Sequence, residues 1–140
     1  MALFFYLMVF SGMVVLISRL VEVSDEKSED ISPYNRKLKK FINACDEQIQ
    51  QNPYDAHLYF QRGKVKCDLC DFRGALDDYT RAIELNPDDG DVYRARISVL
   101  QLVEESGTAL ADYTRLIELN YKDSAAYLGR AVIEEELNDY

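Results

Sequence analysis

The sequence predicts an all-α fold in which helical hairpins stack into a solenoid. Two segments thirty-four residues apart, Ala75–Asn86 (ALDDYTRAIELN) and Ala109–Asn120 (ALADYTRLIELN), are identical at ten of twelve positions. The same spacing relates Tyr59, Tyr93 and Tyr127, so a third copy follows the second. A fixed period of this size is typical of stacked helical hairpins, which present a surface used for holding other molecules. We therefore expect a binding protein rather than an enzyme.

The charge of the chain limits the classes of partner. The 140 residues carry a formal net charge of −9, and Arg19 is the single charged residue among the first twenty-one. Residues 22–140 therefore carry −10, which argues against a general binder of nucleic acid or anionic membranes. We expect one acidic domain with no nucleic-acid partner.

The amino-terminal residues 1–21 form a different kind of segment. Ala2–Ser18 contains no charge and would be about 26 Å long as a helix, against about 30 Å for the hydrocarbon core of a bilayer. Leu20 and Val21 extend the apolar stretch, so we expect a hydrophobic helix that anchors the chain in a membrane through residues 2–21. A cleaved signal peptide and a buried helix are the alternatives.

Basic residues follow this segment and none precedes it. Arg19 and Lys27 lie closest to the apolar stretch, so the positive-inside rule predicts a single-pass protein whose repeats face the cytoplasm. Residues 1–21 acting as a signal would instead export the domain. The acidic stretch 22–33 reads as a linker. A basic cluster then appears at Arg36, Lys37, Lys39 and Lys40, for which a solvated helix face is favoured over contact with lipid headgroups.

Apolar period and capping residues predict six helices within a domain over residues 34–140. The first helix, 34–51, starts at Ser32-Pro33 and carries an apolar stripe at Leu38, Phe41, Ile42, Cys45 and Ile49. Asp55, Asp89 and Asp123 are placed to cap later helices. The predicted repeats are 55–88, 89–122 and a partial repeat 123–140, with helices near 55–69, 72–85, 89–103, 107–119 and 123–137.

The small and aromatic residues that recur in these copies resemble the pattern of the tetratricopeptide repeat (TPR) family. The residues that carry the resemblance are Tyr59, Gly63, Ala75, Tyr79, Ala82 and Pro87 in the first copy, Tyr93, Ala109 and Tyr113 in the second, and Tyr127 in the third. The resemblance implies antiparallel hairpins that bind a protein or peptide, with no catalysis and no cofactor. Ile97 and Leu116 depart from the family's glycine and alanine, so we expect the helices of the second hairpin to lie further apart or to cross at a shifted angle.

An arginine in each first helix is followed by an aspartate sixteen residues later. The pairs are Arg62 with Asp78 and Arg96 with Asp112, and this repeated spacing predicts structural ion pairs. Arginines presented to a ligand are the alternative. The corresponding Arg130 has no aspartate at that spacing, so we expect it to lack a partner.

The resemblance also implies a ligand groove lined by one face of each first helix. Carried over by the repeat spacing, its residues are His57, Phe60, Lys64, Cys67 and Asp68; Asp91, Arg94, Ser98 and Gln101; and Leu128, Val132 and Glu135. Lys64 and Arg94 are candidates to hold a ligand carboxylate, beside apolar contacts from Phe60 and Leu128. The lysine and asparagine set of the carboxylate clamp that binds chaperone tails is not matched, so that ligand is not carried over.

The sequence contains few residues whose pattern is typical of metal binding or catalysis. Cys67 and Cys70 have the spacing of half a zinc or redox motif, and His57 lies too far along the same helix to complete it, so packing cysteines are expected. No phosphate-binding loop or nucleophile elbow is present. We expect no metal, no cofactor and no enzyme activity. The leading hypothesis is a membrane-anchored noncatalytic adaptor, and the alternative is a structural subunit that self-associates or stacks through its carboxy-terminal repeat.

Overall fold

The computed structural model describes residues 32–120 and 122–138, which form six α-helices joined by short turns. The helices are α1 (Pro33–Gln51), α2 (Ala56–Asp68), α3 (Phe72–Leu85), α4 (Gly90–Leu102), α5 (Ser106–Leu119) and α6 (Ser124–Asn138). Their bounds differ from the predicted ones by one residue at most. From Leu38 onward the helices belong to one compact unit, in which α2 packs on α3, α3 on α4, α4 on α5 and α5 on α6.

Aspartates at the helix starts explain where the helices begin. Asp55 and Asp89 each accept a hydrogen bond from the backbone N–H two residues later, at 3.0 Å. Asp71 accepts one from Gly74 N at 2.9 Å, and Asp123 accepts one from Ala126 N at 3.1 Å. These side chains satisfy backbone donors that have no partner inside the helix.

The two hairpin turns after α2 and α4 share one geometry. Cys70 and Glu104, which are thirty-four residues apart, have positive φ angles of 61° and 60°. Asp71 N donates to Lys66 O, and Glu105 N donates to Leu100 O, each at 2.9 Å. This is the Schellman arrangement, in which a left-handed residue ends the helix and reverses the chain within a few residues.

The hairpin of α2 and α3 closes around a glycine. A Cβ atom placed on Gly63 would lie 2.7 Å from Tyr79 Cε1, so the tyrosine ring occupies the space that a side chain would need. Ala75 and Ala82 on α3 are fully buried, and Tyr79 joins them in a cluster that extends to Val92 and Val99 on α4. Small residues therefore bring the two helices close enough for one aromatic ring to fill their interface.

The second hairpin, formed by α4 and α5, is packed differently. Ile97 and Leu116 stand where the first hairpin has Gly63 and Ala82, and both are buried. The ring of Tyr113 instead lies against the next helix, since a Cβ on Gly129 would be 2.5 Å from Tyr113 Cε1 and from its hydroxyl. A glycine on α6 thus takes over the role that the glycine on α2 has for Tyr79.

The predicted membrane segment lies in a part of the chain that the structure does not describe. The anchor or signal at residues 1–21, the predicted hydrophobic helix within it and the spacer from 22 to 31 lie outside the described residues. Within 32–120 and 122–138, no helix has the length and apolar character needed to cross a bilayer.

Candidate functional site

An arginine on each of α2 and α4 ties three helices together. Arg62 donates from Nε and Nη2 to the two carboxylate oxygens of Asp78 on α3, at 2.9 and 2.5 Å, and from Nη1 to Asp46 on α1 at 2.6 Å. Asp78 is buried and also pairs with Lys66 Nζ at 2.8 Å. The hydrogen bonds to Asp78 raise the pKa of Arg62 above its ordinary value.

The second copy repeats this arrangement. Arg96 binds the buried Asp112 through Nε and Nη2, at 2.8 and 2.5 Å, and its Nη1 donates to Thr80 on α3 at 3.0 Å. The predicted ion pairs are therefore confirmed. These arginines are engaged with protein groups on both sides, and their geometry is that of structural clamps.

Arg130 on α6 has a different partner. Its guanidinium lies over the ring of Tyr127 at 5.7 Å, as Arg62 and Arg96 lie over Tyr59 and Tyr93. Its Nε lies 3.5 Å from Glu134 on the same helix. The expectation that Arg130 has no partner was wrong, because an acid four residues away on a helix was not considered.

A cavity of about 210 Å³ opens between the second hairpin and α6. Its lining residues are Arg94, Ile97, Ser98, Gln101, Tyr113, Leu116, Asp123, Ala125 and Ala126. Three predicted groove residues, Arg94, Ser98 and Gln101, thus lie together at its edge. The buried side chains of Ile97 and Leu116 contribute an apolar part of the lining.

The arginine at this cavity already has acidic partners within the protein. Arg94 pairs with Asp91 at 3.1 Å and, through Nη2, with Asp123 at 2.7 Å. The Arg94 guanidinium lowers the pKa of the Asp123 carboxyl below its usual range. Arg94, which we expected to hold a ligand carboxylate, is therefore already paired with two carboxylates of the protein.

The predicted groove residues on α2 form local pairs of their own. Lys64 Nζ lies 5.5 Å above the ring of Phe60, which packs in turn against Tyr79 with ring centroids 5.9 Å apart. His57 is exposed, and its Nε2 lies 3.1 Å from Gln61 Nε2. None of the predicted groove residues on α2, including the exposed Asp68, lines the cavity beside α6.

The predicted groove residues on α6 do not line this cavity. Leu128 is 69% exposed, Val132 is 47% exposed, and Glu135 is exposed. Val132 and Gln101 instead line a wider cleft of about 860 Å³ between the turn after α4 and the end of α6, with Glu104, Ser106, Ile133, Glu136 and Leu137. The exposed surface of α6 thus combines apolar side chains with carboxylates.

Cys67 and Cys70 lie in different surroundings and are not joined by a disulfide. Cys67 packs against the core of the first hairpin, and burial raises the pKa of its thiol. Cys70 is the exposed left-handed residue of the turn. In the part of the chain that the structure describes, no three histidine, cysteine or acidic side chains gather in a way that could hold a metal ion.

Sequence reasoning missed the second-helix contribution to the cavity. Tyr113 and Leu116 come from α5, and Asp123 from the turn before α6, whereas the groove was assigned to first helices. The available signal was the departure at Ile97 and Leu116, since both residues line the cavity.

Comparison with known proteins agrees with the fold of helical hairpins. The model of the tetratricopeptide repeat matches residues 56–89. No curated protein sequence matches the chain.

Three solved structures are similar to the chain in fold. The TPR domain of Arabidopsis OM64 has 23% identity and a TM-score of 0.62, and the alignment covers 82% of this chain and 94% of that one. MamA has 20% identity and a TM-score of 0.63, with 78% of this chain and 66% of MamA covered, so the match spans slightly less than two thirds of that structure. The first TPR of Spaghetti (RPAP3), bound to the HSP90 peptide SRMEEVD, has 22% identity and a TM-score of 0.62, with 79% and 90% covered. The described helices therefore have the tetratricopeptide-type solenoid fold, and residues 56–89 match the model of one such repeat.

Proposed function

We propose that the chain is a noncatalytic interaction scaffold. It binds a segment of another protein on the face of its first helices that carries the cavity beside α6. The observation that carries the proposal is the cavity beside α6, which has Ile97 and Leu116 in its lining and Ser98 and Gln101 at its edge. Ser98 and Gln101 are exposed and offer hydrogen-bonding groups to a peptide backbone. Apolar lining with a few polar groups is typical of sites that bind a ligand side chain.

The charges of the site favour a ligand that binds through an apolar side chain over one that binds through its terminal carboxylate. Arg94 is held by Asp91 and Asp123, so a ligand carboxylate would have to displace an existing pair. Exposed Leu128 and Val132 lie on the α6 face beside the cavity, where a bound segment would cover them. The ligand class that fits best is a peptide segment with a medium-sized apolar side chain. The Spaghetti structure, which holds a peptide on a similar fold, supports the class of ligand and not its identity.

Selection of peptides from a phage-displayed random library tests this proposal. We expect selected peptides to bind the full-length chain in detergent micelles and to lose at least about tenfold in affinity to Ser98→Glu, which adds a charge at the cavity edge. The matched control is Gln50→Glu, which adds the same charge to an exposed position on α1. Peptides that bind wild type and Ser98→Glu equally well would contradict the proposed site.

We also propose that residues 1–21 anchor the chain in a membrane, with the repeats in the cytoplasm. The support is the uncharged stretch Ala2–Ser18 and the basic residues that follow it. A carboxy-terminal tag should be protected from protease in intact, osmotically stable cells and digested after lysis. Digestion when the inner boundary is intact and the outer one is permeabilised would show that the segment exports the domain.

A further inference from the structure

The wider cleft between the turn after α4 and the end of α6 adjoins the cavity beside α6. Its volume is about 860 Å³, and Gln101 lines both spaces. Another lining residue, Ile133, is buried in a cluster with Leu100 and Ala109. The cleft therefore extends from the surface to the core formed by α4, α5 and α6.

The repeat period explains why this cleft is open. Ser106, which lines it, stands thirty-four residues after Phe72. Phe72 packs against the cluster that contains Val99, and the counterpart of Val99 in the next repeat is Ile133. Ser106 is too small to cover Ile133 as Phe72 covers Val99. The space that a phenylalanine ring occupies in the first repeat is thus open in the second, because of a substitution at the start of α5.

The rim of the cleft combines apolar side chains with carboxylates. Val132 and Leu137 on α6 are each 47% exposed. Glu104 and Glu136 are exposed, and neither forms an ion pair within residues 32–120 and 122–138. Covering a carboxylate is unfavourable unless a cation pairs with it. A ligand that fills the cleft should therefore bring a positive charge together with its apolar group.

We propose that the protein segment that binds at the cavity beside α6 also inserts an aromatic side chain into this cleft, with a lysine or arginine next to it. The ring takes the position that Phe72 has in the first repeat and covers Val132 and Leu137. The basic side chain pairs with Glu104 or Glu136, and this complementary charge adds specificity. This inference rests on the proposed function and names a second feature of the same ligand.

The geometry of α6 sets the distance between the two parts of the site. Ala126 lines the cavity, whereas Val132 and Glu136 line the cleft. At a rise of about 1.5 Å per residue along the helix, the two parts are about 9 to 15 Å apart. An extended segment advances about 3.3 Å per residue, so the aromatic residue should lie about three to five positions from the apolar residue in the cavity.

Peptides selected from a random library on the full-length wild-type chain in detergent micelles test this inference. We expect an aromatic residue with an adjacent lysine or arginine, about three to five positions from an apolar residue. Ser106→Phe should lower the affinity of these peptides about tenfold, because the added ring fills the cleft. It should also raise the urea concentration at the midpoint of unfolding, since the ring packs on Ile133. Ser106→Ala is the matched control and should leave the affinity unchanged.

A double-mutant cycle separates filling of the cleft from changes elsewhere in the fold. Replacing the aromatic residue of the peptide by alanine should weaken binding to wild type about tenfold and binding to Ser106→Phe much less. Glu136→Lys should weaken binding of the basic peptide about fivefold, and a peptide with glutamate in place of the basic residue should bind Glu136→Lys better than wild type. Glu47→Lys, at an exposed position on α1, is the control for the change of charge.

The two variants at Ser98 and Ser106 separate this inference from the proposed function. Equal affinity for wild type and Ser106→Phe, with Ser98→Glu still defective, overturns the inference and leaves the cavity as the binding site. Equal affinity for all three chains overturns both proposals. A lower urea midpoint for Ser106→Phe would also contradict the inference, because the cleft would then have no room for a ring.

Discussion

At the scale of single residues, the side chain at the position of Gly63 determines where the repeated tyrosine packs. Tyr79 lies on Gly63 within its own hairpin, whereas Tyr113 lies on Gly129 of the following helix because Ile97 fills the intrahairpin position. The same tyrosine position thus packs in two directions, depending on one glycine.

The first prediction concerns this glycine. Gly63→Ala should lower the free energy of unfolding by about 1–3 kcal/mol, because the added Cβ overpacks the tyrosine ring and outweighs the gain in helix propensity. Gly107→Ala is the matched control, since a Cβ there meets no atom within 4 Å. It should be neutral or stabilise by up to about 1 kcal/mol. Urea unfolding measures both, and an equal effect of the two substitutions would contradict the packing argument.

A second prediction concerns the left-handed residues of the hairpin turns. Cys70 and Glu104 adopt a φ near +60°, which costs a non-glycine residue about 1–2 kcal/mol. Cys70→Gly should therefore stabilise the fold by about 0.5–1 kcal/mol after the larger entropy of glycine in the unfolded chain is included. Cys67→Gly, within α2, is the contrasting control and should destabilise. Thermal unfolding would count against the strain argument if Cys70→Gly lowered the melting temperature.

Some of this residue-scale detail was accessible from the sequence, and some was not. The period located Gly63 and Tyr79 as repeat positions, but it did not indicate that the ring of Tyr79 packs on Gly63 within one hairpin. It also flagged Ile97 as a departure. It did not reveal that Tyr113 turns to Gly129, because the direction of a side chain between two neighbours depends on the space left by all of them and not on spacing along the chain.

At the scale of helices, the arginine clamps join successive elements. Arg62 contacts α1 and α3, and Arg96 contacts α3 and α5, so each arginine links its own hairpin to the preceding second helix. The sequence predicted the link within each hairpin from the sixteen-residue spacing. The link to the preceding helix was missed, because Asp46 and Thr80 differ in chemistry and produce no repeated pattern.

The third prediction tests the energetics of the clamp. Asp78→Ala should destabilise by about 3 kcal/mol, because it leaves the charges of Arg62 and Lys66 in a partly buried site. The double variant Asp78→Leu with Arg62→Met should lose less than the sum of its two single variants, since it removes both charges together. Chemical unfolding of this double-mutant cycle measures the coupling. Strict additivity would show that the pair is energetically independent.

The fourth prediction concerns the pH dependence of the link between α4 and α6. Arg94 lowers the folded pKa of Asp123, so the pair contributes stability above the ordinary pKa of an aspartate, and that contribution is lost as pH falls through the lowered value. The stability difference between wild type and Asp123→Asn should be constant from pH 5 to 7 and shrink below about pH 4. A difference that is unchanged down to pH 2 would contradict the role of the charge.

At the scale of the whole chain, the repeat period predicted helix number, order and bounds, because 3.6-residue apolar spacing and aspartate caps are local signals. The candidate site was predicted less completely. Arg94, Ser98 and Gln101 were found because groove positions repeat with the architecture. The contributions of Tyr113 and Asp123 depend on how α5 and α6 meet, which the spacing of the first helices does not encode.

The central claim is that a protein segment binds on the helix face that carries the cavity beside α6. Site-specific photocrosslinking in living cells tests this claim most directly. A photoreactive amino acid is placed at Leu128 on that face and, as the matched control, at Glu84, which is exposed on α3. Ser98→Glu, which places a charge at the edge of the cavity, is combined with the probe at position 128 as a second control. The account predicts discrete crosslinked products from position 128 that are absent from position 84 and are lost with Ser98→Glu. Identical products from both positions, or products from position 128 that persist with Ser98→Glu, would contradict it.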